Sequence, residues 1–380
     1  MKALVIGAGM MGGAMAYDLA HSDGVERVTV ADVDGARAQS VARSIGRNID
    51  ATKLDVIDSN SVVALMKMAD VAIGATTYLH NVQLTKAAIQ ARVHFCDLGG
   101  NMDVVYAQMA MDSEAKGARV CIVPNCGLAP GMACVIAAGA AQRFSSIDEM
   151  HIRVGGLPQH PQPPLNYQLV FSPGGLVNEY IESAEVIRNG EVQMVPSMTE
   201  IEELEFPQPL GILEAFNTSG GISTLARMYK GKVQTLDYKT IRYKGHCEKF
   251  KALLDLGFAS AEPIMAGNSL RTAREFFEEL LRRKLPANGP DIVLMRVTIS
   301  GSLDSSRTTV AYDMIDYYDT QQQLTSMMRT TAFPTSIIAQ MIVNGTITTR
   351  GVHPPEQCVP LEPFIDELKK RKIIIQETSR

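Results

Sequence analysis

With 380 residues, 46% hydrophobic and 20% charged, the chain has the makeup of a globular protein that exceeds one ordinary core, so two domains are expected. A formal net charge of −5 with one short basic run, Lys369-Lys370-Arg371-Lys372, excludes a nucleic-acid surface as the main business of the chain. No apolar run approaches the roughly 18 residues of a membrane span, and the chain opens directly on an apolar strand, so a cytoplasmic protein with no membrane partner is expected. The six cysteines (Cys96, Cys121, Cys126, Cys134, Cys247, Cys358) form no C-x-x-C pair and no metal-ligand spacing with histidine. Reduced thiols and no metal are the expectation.

In chain order, Ala3-Leu4-Val5-Ile6 reads as a buried strand, followed by Gly7-Ala8-Gly9-Met10-Met11-Gly12 and a helix through Ala20. A second apolar run, Val28–Ala31, ends in Asp32, which stands 20 residues (32 − 12) beyond the third glycine. This is a dinucleotide-binding fingerprint. Gly7 permits the tight turn, Gly9 lets backbone approach a pyrophosphate, and Gly12 lets the helix lie close to the sheet. The helix N-terminus, with Met10 and Met11, then holds the phosphates. A carboxylate at Asp32 accepts from the ribose hydroxyls and repels an added 2′-phosphate, so NAD is the expected cofactor. Val33 and Asp34 supply no cation for such a phosphate. Arg37 is the nearest candidate and reads as a solvated helix residue.

The alternation continues with a helix near 35–46, a strand ending at Asp55, a helix over Ser59–Met68 and the strand Val71-Ala72-Ile73. A helix over Leu84–Arg92, a strand over Val93–Asp97, a helix near 103–117, the strand Arg119–Val123 and the turn Pro124–Gly131 follow. Ligands of such folds collect at the carboxyl ends of the strands. Asp55 and Val56 are therefore placed at the adenine, with a solvated turn as the alternative for Asp55. Ala75 and Thr76 are placed near the pyrophosphate and ribose, and Leu98 and Gly99 at the next strand end. The fold class is α/β, a Rossmann-type doubly wound parallel sheet over residues 1–131.

From Ile147 the runs lengthen to Met150–Gly155, Tyr238–Tyr243, Val293–Ser300 and Thr308–Tyr317, which suits a second, α+β domain over 132–333 with a largely antiparallel sheet. Two loops stand out as carriers of binding groups: Gly155–Pro164, stiffened by prolines, and Glu214–Gly221, with small hydroxyls and glycines. Pro334–Val343 reads as a helix opened by proline and stopped by Asn344-Gly345. Residues 334–380 are expected to return to the first domain.

Several motifs together resemble one family. Gly7–Ala20, Asp97-Leu98-Gly99-Gly100, Pro124–Met132, Phe216–Gly221, Tyr238–His246 and Arg350–Glu356 are similar to the saccharopine dehydrogenase superfamily, and within it most of all to the lysine 6-dehydrogenases. That resemblance spans nearly the whole chain. It implies an NAD-dependent oxidative deamination of the terminal amine of L-lysine to the 6-semialdehyde, which cyclises to a piperideine carboxylate, and a homodimer or homotetramer. Asp32-Val33-Asp34 departs from the basic groups expected of the NADP-dependent saccharopine reductases. An imine reductase of the saccharopine or carboxynorspermidine type, or a non-catalytic NAD sensor, remain the other readings.

Hydride can leave carbon 6 only when the substrate nitrogen is neutral, so a base or a desolvating pocket is needed. Asp97, Tyr243 and His246 are the candidates for proton transfer; none stands out as the sole base. Arg242 has the best-defined role, since its planar guanidinium can grip a carboxylate in a bidentate pair. Thr240, Thr218, Ser219 and Tyr167 are expected to complete the substrate pocket, and Glu179 or Glu214 to pair the α-ammonium.

Overall fold

The computed structural model describes residues 1–267, 269–287 and 289–379. The first stretch alternates strand and helix: β1 (Lys2–Ile6), α1 (Met10–Ala20), β2 (Arg27–Asp32), α2 (Gly35–Ile45), β3 (Ile49–Lys53), α3 (Ser59–Met66) and β4 (Val71–Gly74). It continues with α4 (Asn81–Ala91), β5 (His94–Asp97), α5 (Met102–Met109), α6 (Asp112–Ala118), β6 (Cys121–Val123) and α7 (Ala133–Ala141). β1, β4 and β6 are almost unbroken apolar runs, as strands covered on both faces are, whereas β3 at the edge is mixed and only partly buried. Side chains fix the helix starts: Asp34 accepts from the amides of Ala36 and Arg37, Asp58 from Asn60 and Ser61, and Asn101 from Val104. Where one helix was expected near 103–117, Ala110 and Met111 break it into α5 and α6. β3 stops at Lys53, two residues early, and leaves Asp55 in the turn that follows.

The later elements are β7 (Ser146–Pro158), α8 (Pro173–Ile181), β8 (Ala184–Arg188), β9 (Glu191–Val195), β10 (Glu202–Phe206), β11 (Gly211–Asn217), α9 (Leu225–Tyr229), β12 (Thr235–Tyr243) and α10 (His246–Asp255). After these come β13 (Pro263–Ala266), β14 (Ser269–Thr272), α11 (Ala273–Lys284), β15 (Asp291–Leu303) and β16 (Ser306–Tyr317). The chain then runs through α12 (Ser326–Val343), β17 (Gly351–Val352), α13 (Pro355–Cys358), α14 (Leu361–Lys370) and β18 (Gln376–Ser379).

Two compact units result. One comprises residues 1–143, 223–225 and 328–374; the other comprises 144–222, 226–327 and 375–380. Boundaries had been expected at 131/132 and 333/334, so α7 falls in the first unit, and residues 375–380 fall in the second with β18 paired to β16.

The first unit is built on a parallel seven-stranded sheet in the order β17-β6-β5-β4-β1-β2-β3. β1 lies between β4 and β2, which places the reversal of strand order at the glycine turn. Leu4, Ile6, Ala72, Phe95 and Ile122 of the sheet pack with Val62, Met66, Leu84 and Ala88 of α3 and α4 in one buried cluster. Asp18 of α1 is buried too, and it accepts from Arg371 Nε at 2.6 Å and from the Ser336 hydroxyl.

The second unit is built on a mixed sheet in the order β10-β11-β12-β7-β15-β16-β18, with the β8–β9 hairpin attached to β12. Among the described residues the expected antiparallel character holds for every neighbouring pair in this sheet except β7 and β12, which run parallel with Thr235 opposite Glu149. Gly155–Pro158 and Glu214–Asn217 lie inside β7 and β11, so the two conspicuous loops begin later than the sequence indicated. Tyr167, Leu176, Tyr180, Phe216, Phe250, Phe277 and Leu281 form an apolar layer on one face of the sheet, drawing on α8, α10 and α11. On the other face Leu157, Phe206, Leu213, Ile241, Ile292 and Leu294 form a separate one.

Pro334 does not open a helix but sits inside α12. The proline removes one amide donor, yet burial of Phe333, Ile337, Ile338, Met341 and Ile342 holds the helix through it. No helix among the described residues is long and apolar enough to cross a membrane. All six cysteines are free thiols, and five of them are buried.

Candidate functional site

In the first unit the turn after β1 has the geometry a pyrophosphate requires. Gly7 has φ 111°, and a Cβ on it would meet the Ala75 carbonyl oxygen at 2.4 Å; on Gly12 a Cβ would lie 1.9 Å from the Gly7 oxygen. Gly9 is different, because a Cβ there would meet nothing within 4 Å. Its bareness is therefore not demanded by the protein's own packing. It leaves room beside the N-terminus of α1, which has no side-chain cap and no acidic residue in its first turn. A pyrophosphate suits such a place. Met10 is 45% exposed at that end, and Met11 follows it in the first turn.

Asp32 ends β2 at 8% exposure, one oxygen taking the Ala8 amide at 2.7 Å and the other the Asp34 amide at 2.8 Å. It is thereby aimed, with acceptor capacity left for ribose hydroxyls. Val33 beside it is exposed. Arg37 is not simply solvated, as its guanidinium lies 3.8 Å from both Asp32 and Asp34. The ends of β4 and β5 bring Ala75, Thr76, Leu98 and Gly99, all partly exposed, to the same side of the sheet. Asp55 is exposed and caps the Ile57 amide, while Val56 packs against the core and its carbonyl takes the Gln83 amide. The residues present fit a nicotinamide dinucleotide.

In the second unit the alternation of β12 puts Tyr238, Thr240 and Arg242 on one face. Arg242 is 3% exposed; its Nε donates to the Tyr180 hydroxyl at 2.9 Å and its Nη1 to the Ile241 carbonyl at 2.9 Å. The guanidinium lies 4.9 Å from the centre of the Tyr167 ring. Among the described residues no carboxylate closes an ion pair with it. The Tyr167 hydroxyl is buried without a hydrogen-bond partner among them, and burial pushes its pKa up to about 12. Thr218 and Thr240 share a hydrogen bond at 2.7 Å between their hydroxyls. Glu179, on α8 beside Tyr180, feels the Arg242 charge, and burial lifts its carboxyl to about 7 against that pull.

A family model described as "Saccharopine dehydrogenase C-terminal domain" matches residues 127–374, and another, "Saccharopine dehydrogenase NADP binding domain", matches residues 3–123. The chain belongs to the saccharopine dehydrogenase family. It is 22% identical over 452 residues to the saccharopine dehydrogenase [NADP(+), L-glutamate-forming] of Saccharomyces cerevisiae, covering 97% of this chain and 96% of that protein. The mitochondrial alpha-aminoadipic semialdehyde synthase of Rattus norvegicus is 20% identical over 456 residues, and the chain spans about half of it, 48%. The solved structure of apo saccharopine dehydrogenase (L-Glu forming) from Saccharomyces cerevisiae superposes with a TM-score of 0.79 at 20% identity, over 100% of this chain and 99% of that one, which is a likeness of fold.

Within this family member, several of the expected site residues do other work. Tyr243 lies on the face of β12 opposite Arg242, packs against the second apolar layer, and donates its hydroxyl to the Pro158 carbonyl at 2.9 Å. It is thereby separated from the Arg242 cluster. His246 opens α10 at 1% exposure, with Nδ1 2.9 Å from the Leu165 carbonyl and Nε2 3.1 Å from the Tyr180 hydroxyl. Burial and then the Arg242 charge push its pKa down to about 3. Because Tyr180 receives the Arg242 Nε–H, its own proton goes to His246 Nε2, and the Nδ1–H goes to Leu165. The histidine is a neutral link in a chain that aims the guanidinium, with no nitrogen left for a substrate.

Asp97 is fully buried in the first unit, accepting from Gln108 at 2.6 Å, Gly99 at 2.7 Å and Asn125 at 3.4 Å, and burial lifts it to about 6. Its bonds hold two strand-end turns in place. Ser219 donates its hydroxyl to the Glu182 carboxylate at 3.3 Å. Glu214 caps α10 through the amides of Gly245 and Cys247, at 2.8 and 2.6 Å. Tyr180 was missed by the sequence reading. A tyrosine one residue after Glu179 on an amphipathic helix carries no mark that it will meet a strand 62 residues away.

Proposed function

We propose that this family member is an NAD-dependent amino-acid dehydrogenase that oxidises the terminal amine of L-lysine, releasing ammonia and giving the 6-semialdehyde, which cyclises to a piperideine carboxylate. The observation that carries this reading is Arg242, a buried guanidinium without a counter-ion among the described residues. A charge in that position is costly unless an anion joins it. A substrate carboxylate matches the planar fork and orients the rest of the molecule. The Tyr167 hydroxyl and the Thr218–Thr240 pair add polar groups near the anchored end. The dinucleotide supplies the hydride acceptor when bound. NAD is favoured over NADP because Asp32 is held by two amides where a 2′-phosphate would need a cation.

A second reading, an NADP-dependent reductase of the saccharopine type, is favoured by one feature, Arg37 lying 3.8 Å from Asp32 and Asp34. It also agrees with the NADP dependence of the Saccharomyces cerevisiae saccharopine dehydrogenase that the chain resembles. One assay separates the two: the protein is mixed with NAD or NADP and with L-lysine, saccharopine, cadaverine or norspermidine conjugates, and the absorbance of the reduced cofactor is followed. Reduction of NAD with lysine and none with saccharopine supports the first reading. The opposite pattern replaces it, and dinucleotide binding with no turnover on any amine points to a sensor.

A further inference from the structure

Large apolar side chains left in solvent are unevenly spread along this chain. Of the seventeen among the described residues, six fall between residues 256 and 280: Leu256, Ile264, Met265, Leu270, Phe276 and Leu280, each 47–76% exposed. Scattered single ones are ordinary, whereas such a concentration marks a surface that meets another molecule. Local structure gathers them. β13 and β14 form a two-stranded sheet of their own, in which Met265 stands opposite Leu270 and so shares a face with it. Thr272 ends β14 and caps α11 through a reciprocal capping box with Glu275, so strand passes into helix without a loop. On α11, Phe277 and Leu281 are buried in the apolar layer of the second unit, which leaves Phe276 and Leu280, four residues apart, on the outer side. No third strand joins β13 or β14 among the described residues. A lone two-stranded hairpin is marginal in water, and both of its edges are open to pairing.

We propose that the β13–β14 hairpin and the outer side of α11 form the surface on which a second copy of this chain docks about a two-fold axis. Area is the first argument. The six side chains expose on the order of 600 Å² per copy, the upper end of the largest apolar patch a monomer carries, and two such faces meeting bury about 1,200 Å², enough for a stable interface. Charge is the second. Arg274–Glu279 carries a net −2 (three Glu against one Arg), and Arg282–Lys284 carries +3 (two Arg and one Lys). That asymmetry suits the dipole of α11 itself, and it makes two copies of the helix complementary when a two-fold axis sets them antiparallel. Within one copy, Arg282 and Arg283 each reach Glu279 at 2.6 Å, but these pairs are exposed and contribute little, so partners across the axis replace them at small cost. A nucleic acid or an anionic membrane would select cations alone around the patch, whereas Glu262, Glu275 and Glu279 stand among them. The proposal does not depend on which reaction the protein performs.

The test is the mass of the full chain in solution, followed by sedimentation velocity over about 0.1–50 μM, since association depends on protomer concentration. The parent should sediment as a dimer or as a pair of dimers. Leu270→Lys and Phe276→Glu place a charge on the outer surface without touching the core, and each should raise the dissociation constant about 10–100-fold, the share of one apolar anchor withdrawn from the contact. The double variant should halve the mass of the parent at every concentration where the parent is assembled. A parent that stays monomeric, including one that instead binds anionic vesicles, overturns the proposal. So does an assembled parent whose mass neither substitution changes, because its interface then lies elsewhere. If the charged variants do not fold, Leu280→Cys treated with a short bismaleimide decides: covalent dimers absent from the parent under the same treatment support the interface, and their absence overturns it.

Discussion

Replacing Arg242 by methionine should separate its binding role from its structural one. Methionine follows the path of the arginine methylenes and fills most of the same volume, so no large cavity opens. The loss comprises the hydrogen bonds to Tyr180 and the Ile241 carbonyl and the stacking on Tyr167. At about 1 kcal/mol per bond and up to ~2 kcal/mol for the cation–π contact, that is roughly 3–4 kcal/mol. Against it stands the removal of a buried charge that lacks an ion pair, which relieves several kcal/mol. The two nearly cancel, and the melting temperature should stay within a few degrees of the parent. Binding has no such offset: losing a buried carboxylate partner costs about 2–5 kcal/mol, or roughly 30-fold to several-thousand-fold in kcat/KM for lysine. Cadaverine, which has no carboxylate, should lose less than about threefold by the same reasoning. Thermal melts and the reduced-cofactor assay measure both effects. A fall in melting temperature of many degrees together with equal losses for lysine and cadaverine would show that the guanidinium is structural, and the anchored pose would have to be given up.

Gly9→Ala should leave the melt unchanged, since its Cβ meets nothing, and weaken dinucleotide binding about tenfold or more; Gly12→Ala, with a Cβ 1.9 Å from a backbone oxygen, should destabilise the fold itself. Unchanged affinity in Gly9→Ala would remove the pyrophosphate from that turn. Arg371→Met leaves Asp18 buried without its cation and should cost about 3–5 kcal/mol in urea unfolding. Asp97 is lifted to about 6 in the folded chain from an ordinary 3.8. The folded state therefore holds its proton more tightly, a contribution complete below about pH 4 and lost as pH rises through 6. Asp97→Asn should flatten that part of the stability profile between about pH 4 and pH 6; an unaltered profile would refute the assignment.

The nucleotide-binding half was readable because each of its signals is local. Gly7–Gly12 and Asp32 lie within one βαβ unit, and their spacing carries the geometry without knowledge of distant contacts. The second half yielded its strands but not their partners, since nothing in Met150–Gly155 or Tyr238–Tyr243 tells that these two runs will lie parallel. Tyr243 is a case where the sequence already held the answer. Two adjacent residues of one strand point to opposite faces, so Arg242 and Tyr243 could not both line one pocket. His246 and Glu214 could be settled only by their partners, Tyr180, Leu165 and the amides at the start of α10, which arrive from 31 to 81 residues away.

β17 is two residues long, yet it governs when the nucleotide-binding sheet can be finished. It adds to β6 in parallel, and 352 − 123 = 229 residues separate the ends of the two strands. At a ribosomal pace of about 5–20 residues per second, β6 waits roughly 10–45 seconds for its neighbour, with its hydrogen-bonding edge open to any other strand nearby. The second unit is therefore made while the first is incomplete, and a nascent chain released early would carry that open edge into the cell. Overexpression in a fast-translating host with a holdase present should raise the soluble yield more than any change to the exposed surface of the finished protein.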